Sequence, residues 1–212
     1  MTIFYHEQLY RSGELMRRVR EQFVTVCGAG ALGANIVESL ARSGFTKLRV
    51  IDCDRIEERN LSTQPFYRSD IGTHKARILA NSLYRALGVN VEARTEELTK
   101  RNVRRLLYGL VVDAFDNSRS REAVKAACEE AKLPCLHVGL ADAYAEIIWN
   151  ESYRVPSAAQ DDICDYPLAR NLVTLAVAVA CEVITGYVTE GKQESFTITL
   201  NDFEVRRIEV SA

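Results

Sequence analysis

No Cys-x-x-Cys pair occurs among the six cysteines of this 212-residue sequence: Cys27, Cys53, Cys128, Cys135, Cys164 and Cys181 stand singly. That absence excludes the paired-thiol zinc site, and scattered thiols fit a reducing compartment better than a disulfide framework. The three histidines, His6, His74 and His137, lack metal-ligand spacing and read as core or surface residues. An excess of charge of one sign is missing too. With 27 basic and 29 acidic residues the formal net charge is -2, so general attraction to DNA is not expected. The N-terminus Met1-Thr2-Ile3-Phe4-Tyr5-His6-Glu7 has no apolar signal-peptide core, and the cytoplasm is the expected location. The longest apolar run, Leu172 to Val188, is short for a membrane span and contains Glu182. It reads as a buried core or dimer-interface helix, with no membrane partner. Repeats, linkers and low-complexity tracts are also lacking.

What is present is the material of a core. Apolar residues make up 47% and charged residues 26%, which argues against disorder. The length suits a single α/β domain over residues 1–212, with a helical arm at 1–21, a crossover loop at 150–166 and a C-terminal hairpin at 195–210. Phe23 to Cys27 reads as a buried strand, Ala34 to Ser43 as a helix closed by Gly44, and Lys47 to Ile51 as a second strand. Arg55 to Ile71 is polar and aperiodic, an ordered loop carrying function. Further helices are expected at Lys75 to Leu87, Thr99 to Tyr108, Ser118 to Lys132 and Asn171 to Ile184. Strands are expected at Val91 to Thr95, Leu110 to Asp113, Cys135 to Val138, Glu146 to Trp149, Phe196 to Leu200 and Phe203 to Val210, the last two joined tightly by Asn201-Asp202. This alternation predicts a Rossmann-like nucleotide-binding fold, a mostly parallel sheet with helices on both faces and a terminal β-hairpin.

The chemistry concentrates after the first strand. In Gly28-Ala29-Gly30-Ala31-Leu32-Gly33 the glycines suit a tight turn, close approach of backbone to phosphate, and helix-strand packing. Asp52 follows about twenty residues on, at the end of the second strand, where an acidic side chain meets ribose hydroxyls. These residues alone serve NAD and ATP equally, and they are also compatible with packing glycines and no ligand.

The run Asp52-Cys53-Asp54-Arg55-Ile56-Glu57-Glu58-Arg59-Asn60-Leu61-Ser62-Thr63-Gln64 continues into Asp70-Ile71-Gly72-Thr73-His74-Lys75-Ala76, then Asp113-Ala114-Phe115-Asp116-Asn117 and Arg121. It resembles the ThiF/MoeB/HesA family of ubiquitin-activating-enzyme-like adenylyltransferases. The resemblance implies ATP and Mg2+ as cofactors and a homodimer. It also implies adenylation of the C-terminal carboxylate of a ubiquitin-like protein, a sulfur-carrier protein or a peptide, with release of pyrophosphate. Nucleotide contacts carried over by it are Gly28, Gly30, Ala31, Gly33, Asp52, Asp54, Asn60, Gln64, Lys75 and Asn117. Lys75 would serve as a mobile phosphate cation, Asp116 as the magnesium ligand, and Cys164 as a thioester or persulfide nucleophile. Each has a plainer reading: a solvated lysine, capping aspartates, a turn-forming Asn60, an ordinary thiol, and an Arg121 that pairs with Asp116 or another carboxylate.

The sequence departs from the family at Thr63, where arginine is usual, and at Tyr5-His6-Glu7-Gln8, which replaces an Arg-Tyr-x-Arg-Gln-like segment. Arg11, Arg59 and Arg68 are candidates to compensate. The segment Asn150 to Tyr166 is expected to cover the substrate tail. Two further functions stay open: a nucleotide-binding scaffold that partners an active enzyme, and an NAD-dependent oxidoreductase.

Overall fold

In the computed structural model, which describes residues 2–157 and 168–209, eight strands form one sheet ordered β3-β2-β1-β4-β5-β6-β7-β8. The strands are β1 (Phe23–Cys27), β2 (Lys47–Ile51), β3 (Val91–Arg94), β4 (Leu110–Asp113), β5 (Cys135–Ala141), β6 (Tyr144–Trp149), β7 (Ser195–Thr199) and β8 (Glu204–Ile208). The first five run parallel and the last three pair antiparallel. Strands buried on both faces need continuous apolar runs, and every residue of β4 is buried. The switch from β2 to β4 on either side of β1 opens a crevice at the strands' carboxyl ends, where open α/β sheets take ligands.

Among the described residues the α-helices are α1 (Tyr5–Glu21), α2 (Ala31–Arg42), α3 (Lys75–Leu87), α4 (Val103–Leu106), α5 (Ser118–Ala131) and α6 (Arg170–Glu190). A first core cluster joins Val24, Val26, Ile36, Leu40, Leu136 and Ile184, and a second on the other face joins Ile51, Leu106, Val111 and Val124. α6 is apolar and long enough to cross a membrane by composition, yet 56% of its apolar window is buried. It packs on α2 and β6 as a core helix.

Several local expectations change. The helix expected at Thr99 to Tyr108 shrinks to α4, because the Asn102 side chain accepts hydrogen bonds from the Thr99 amide and hydroxyl and closes a turn there. α6 runs six residues past Ile184 and ends at Gly191, which takes the left-handed conformation. The Asn201-Asp202 turn is instead a four-residue connection, 200–203, with Phe203 at φ 55°. α1 is broken at Ser12, whose φ of 72° and ψ of 159° are not helical. The Arg55 to Ile71 loop holds two 3-10 turns, Glu58–Ser62 and Arg68–Asp70.

Candidate nucleotide site

The glycine turn owes its shape to two glycines and its openness to a third. Gly28 has φ +97°, and a Cβ there would lie 2.9 Å from the Ala114 carbonyl oxygen, so β1 and β4 close together behind the turn. A Cβ on Gly33 would fall 2.0 Å from the Gly28 carbonyl oxygen, which fixes the angle at which α2 leaves the strand. Gly30, the residue before α2, would place a Cβ within 4 Å of nothing. No protein contact requires its lack of a side chain, and the space beside the helix start is open.

Asp52 pins this turn from the end of β2. Its Oδ2 accepts the Ala29 amide at 2.6 Å and its Oδ1 accepts the Asp54 amide at 2.8 Å. Burial pushes its carboxyl above the ordinary range, and the Ala29 hydrogen bond and the Lys75 charge oppose that rise only in part. Lys75 opens α3 with its side chain largely buried, and its Nζ donates to Asp54 Oδ2 at 3.0 Å. The mobile cation expected from sequence is therefore a pinned one, although two of its three N–H donors remain for other acceptors.

These groups border one cavity of about 320 Å³, lined by Gly28, Gly30, Asp52, Cys53, Asp54 and Lys75 on one side and by Ala114, Phe115, Asp116, Asn117, Arg119 and Ser120 on the other. Glu96, Glu97 and Leu98, just after β3, complete the wall. The structure thus unites seven residues singled out by sequence: Gly28, Gly30, Asp52, Asp54, Lys75, Asp116 and Asn117. Four others do not line it. Ala31 and Gly33 form the first turn of α2 behind it. Asn60 accepts the Glu57 amide at 2.8 Å and closes the first 3-10 turn, the plainer of its two readings. Gln64 keeps its Oε1 buried without a hydrogen-bond partner. Asn117 faces the cavity but its side chain also caps α5, accepting the Ser120 amide at 2.9 Å. Cys164, and the segment 158–167 around it, lie outside the described residues.

The substitute arginines are elsewhere. Arg11 bonds Glu7 at 2.9 Å and Glu182, Arg59 bonds Glu57 at 2.6 Å, and Arg68 pairs with Glu58 at 3.5 Å; none lines the cavity. Arg121 pairs with Asp113, at 3.8 Å, and not with Asp116. Beneath the cavity floor Asp113 Oδ2 lies 2.8 Å from His137 Nδ1, and His137 Nε2 lies 2.7 Å from Asn150 Oδ1. Tyr153 stacks on His137 with ring centroids 3.8 Å apart, and its hydroxyl accepts from Arg121 at 2.9 Å. Burial works against the charged form of Asp113, but Arg121 and His137 outweigh it and hold the carboxyl below its usual range. Glu96, Glu97, Leu98, Phe115, Arg119 and Ser120 escaped the sequence reading. Phe115 lies inside the quoted Asp113 to Asn117 run but was given no role there; for the others, only the strand order brings the end of β3 and the start of α5 to one wall, and no local motif marks them.

The chain is similar to several known proteins. The sulfur carrier protein adenylyltransferase of Thermus thermophilus is 37% identical over 131 residues, covering 58% of this chain and 48% of the relative. The SAMP-activating enzyme E1 of Haloferax volcanii is 36% identical over 125 residues, covering 57% and 46%. The chain thus spans about half the length of these curated relatives. Among solved structures, Escherichia coli MccB with ATP superposes with a TM-score of 0.80 at 16% identity, over 96% of this chain and 69% of that one. PaaA gives 0.76 at 17%, over 97% and 71%, so both share the fold. The ThiF family model matches residues 5–211, and the chain belongs to the ThiF family.

Proposed function

We propose that the chain is an ATP-dependent adenylyltransferase that activates the C-terminal carboxylate of a ubiquitin-like protein, a sulfur-carrier protein or a peptide. The observation that carries this reading is the convergence of the glycine turn, Asp52, the Lys75–Asp54 pair and Asp116 on one cavity at the sheet's switch point, in a chain of the ThiF family. Gly30 supports a phosphate there, since its missing side chain leaves the α2 amides open to an oxyanion. In the reaction, a carboxylate oxygen forms a bond to the α-phosphorus while the bond from that phosphorus to the bridging oxygen breaks. An acyl-adenylate and pyrophosphate result. Lys75 would hold phosphate oxygens with the donors that Asp54 leaves, and Asp52 would accept from ribose hydroxyls while keeping the turn in shape.

Magnesium fits the residues in a restricted way. Among the described residues no group of three or more His, Cys, Asp or Glu side chains converges on a metal position. Asp116, exposed on the cavity wall, would be one oxygen ligand in a shell completed by phosphate and water. Bound magnesium would offset the repulsion between phosphate and carboxylate. The described cysteines, Cys27, Cys53, Cys128, Cys135 and Cys181, are free thiols, which supports a cytoplasmic location. Self-association finds support in a groove of about 400 Å³ between α6 and the hairpin, where Val179, Val183, Phe196 and Val205 form an apolar floor.

Pyrophosphate exchange with diglycine-ended carriers tests the proposal, with Lys75→Ala and Asp116→Ala expected to lower the rate by about a hundredfold or more. Tight ATP binding with no exchange for any carrier would favour the scaffold reading instead.

A further inference from the structure

The cavity walls carry five carboxylates, Asp52, Asp54, Glu96, Glu97 and Asp116, against two cations, Lys75 and Arg119. Lys75 is neutralised by Asp54 at 3.0 Å. Arg119 has no ion pair or side-chain hydrogen bond to any other described residue, although five carboxylates line the same cavity. It is exposed and sits in the first turn of α5. Helix dipoles favour anions at that position, so a cation there weakens the helix slightly, and no ion pair to a described residue offsets this. Its neighbour Arg121 points the other way, into the buried cluster with Asp113 and Tyr153. The two arginines of the Arg119-Ser120-Arg121 stretch thus divide, one closing the core and one left at the cavity.

Building on the nucleotide reading, we infer that Arg119 is a phosphate-binding residue, its guanidinium engaging the oxyanions of the triphosphate opposite the glycine turn. The planar fork of donors matches phosphate oxygens in pairs. In a lining otherwise dominated by carboxylates, it is the unneutralised cation available to attract a triphosphate, among the described residues. With Thr63 where the resemblance leads one to expect arginine, the guanidinium at the phosphates would come from α5.

Calorimetric titration of the full chain with ATP, in the presence of magnesium, and separately with adenosine tests the assignment. Arg119→Ala is expected to weaken ATP by about ten- to a hundredfold and leave adenosine unchanged, with Arg119→Lys in between. Arg119 is exposed and makes no ion pair or side-chain hydrogen bond to a described residue, so the melting temperature should stay within a few degrees of wild type. An ATP affinity equal to wild type in Arg119→Ala, or an equal loss for ATP and adenosine, would overturn the assignment while the nucleotide reading stands. A wild-type chain that ignores ATP would overturn the nucleotide reading and, with it, this one.

Discussion

Glycines separate the shape of the turn after β1 from its proposed phosphate binding more cleanly than charged residues do. Gly33→Ala drives a methyl to 2.0 Å from a backbone oxygen, and a loss of about 3 kcal/mol in chemical denaturation is expected. Gly30 has φ -77°, which alanine adopts freely, and its Cβ meets nothing. Gly30→Ala should therefore cost at most about 1 kcal/mol of stability, as a weaker helix cap, while lowering ATP affinity about tenfold or more in the same titration. Equal effects from both substitutions would contradict the cradle. Asp113 supplies a pH prediction. Its carboxyl is held below the ordinary range, so its stabilisation is complete above the unfolded value of about 3.9 and fades as pH falls through the lower folded value. Asp113→Asn strands the buried Arg121, at a cost of about 3 kcal/mol near neutrality. Urea unfolding should show the gap from wild type narrowing in strong acid.

Elements were legible from sequence where one local signal decided them and obscure where side chains competed with the backbone. α3 matches its expected range, Lys75 to Leu87, because an amphipathic period ends on Gly88, which takes the left-handed conformation. α4 was overestimated because Asn102 recruits Thr99 into a turn, a competition that periodicity does not register. The glycine turn, Asp52 and Lys75 were readable because each lies at the end of a strand or the start of a helix next to a recognisable pattern. The Asp113–His137–Asn150 cluster was not: its members come from β4, β5 and the segment after β6, and only sheet pairing assembles them. α5 carries the matching test. Asn117→Ala removes the cap and should cost about 1 kcal/mol, seen as a lower melting temperature, whereas Asn117→Asp keeps an acceptor for the Ser120 amide and should hold the helix. Full stability in the alanine variant would show that the cap does not matter.

Across the whole molecule, the acidic cavity contrasts with a net charge of only -2. A bare triphosphate would enter against five carboxylates, so chelating divalent ions should weaken ATP binding by at least about tenfold while adenosine binding stays level. Calorimetry with and without chelator checks this, and equal ATP affinity in both would show that the field of the walls does not govern entry. Sheet order has a longer reach. Every described residue lining the cavity falls between Gly28 and Ser120, from the parallel half of the sheet and its loops, whereas β6, β7, β8 and α6 contribute none. Substitutions confined to that antiparallel half would therefore leave every described residue of the cavity wall unchanged.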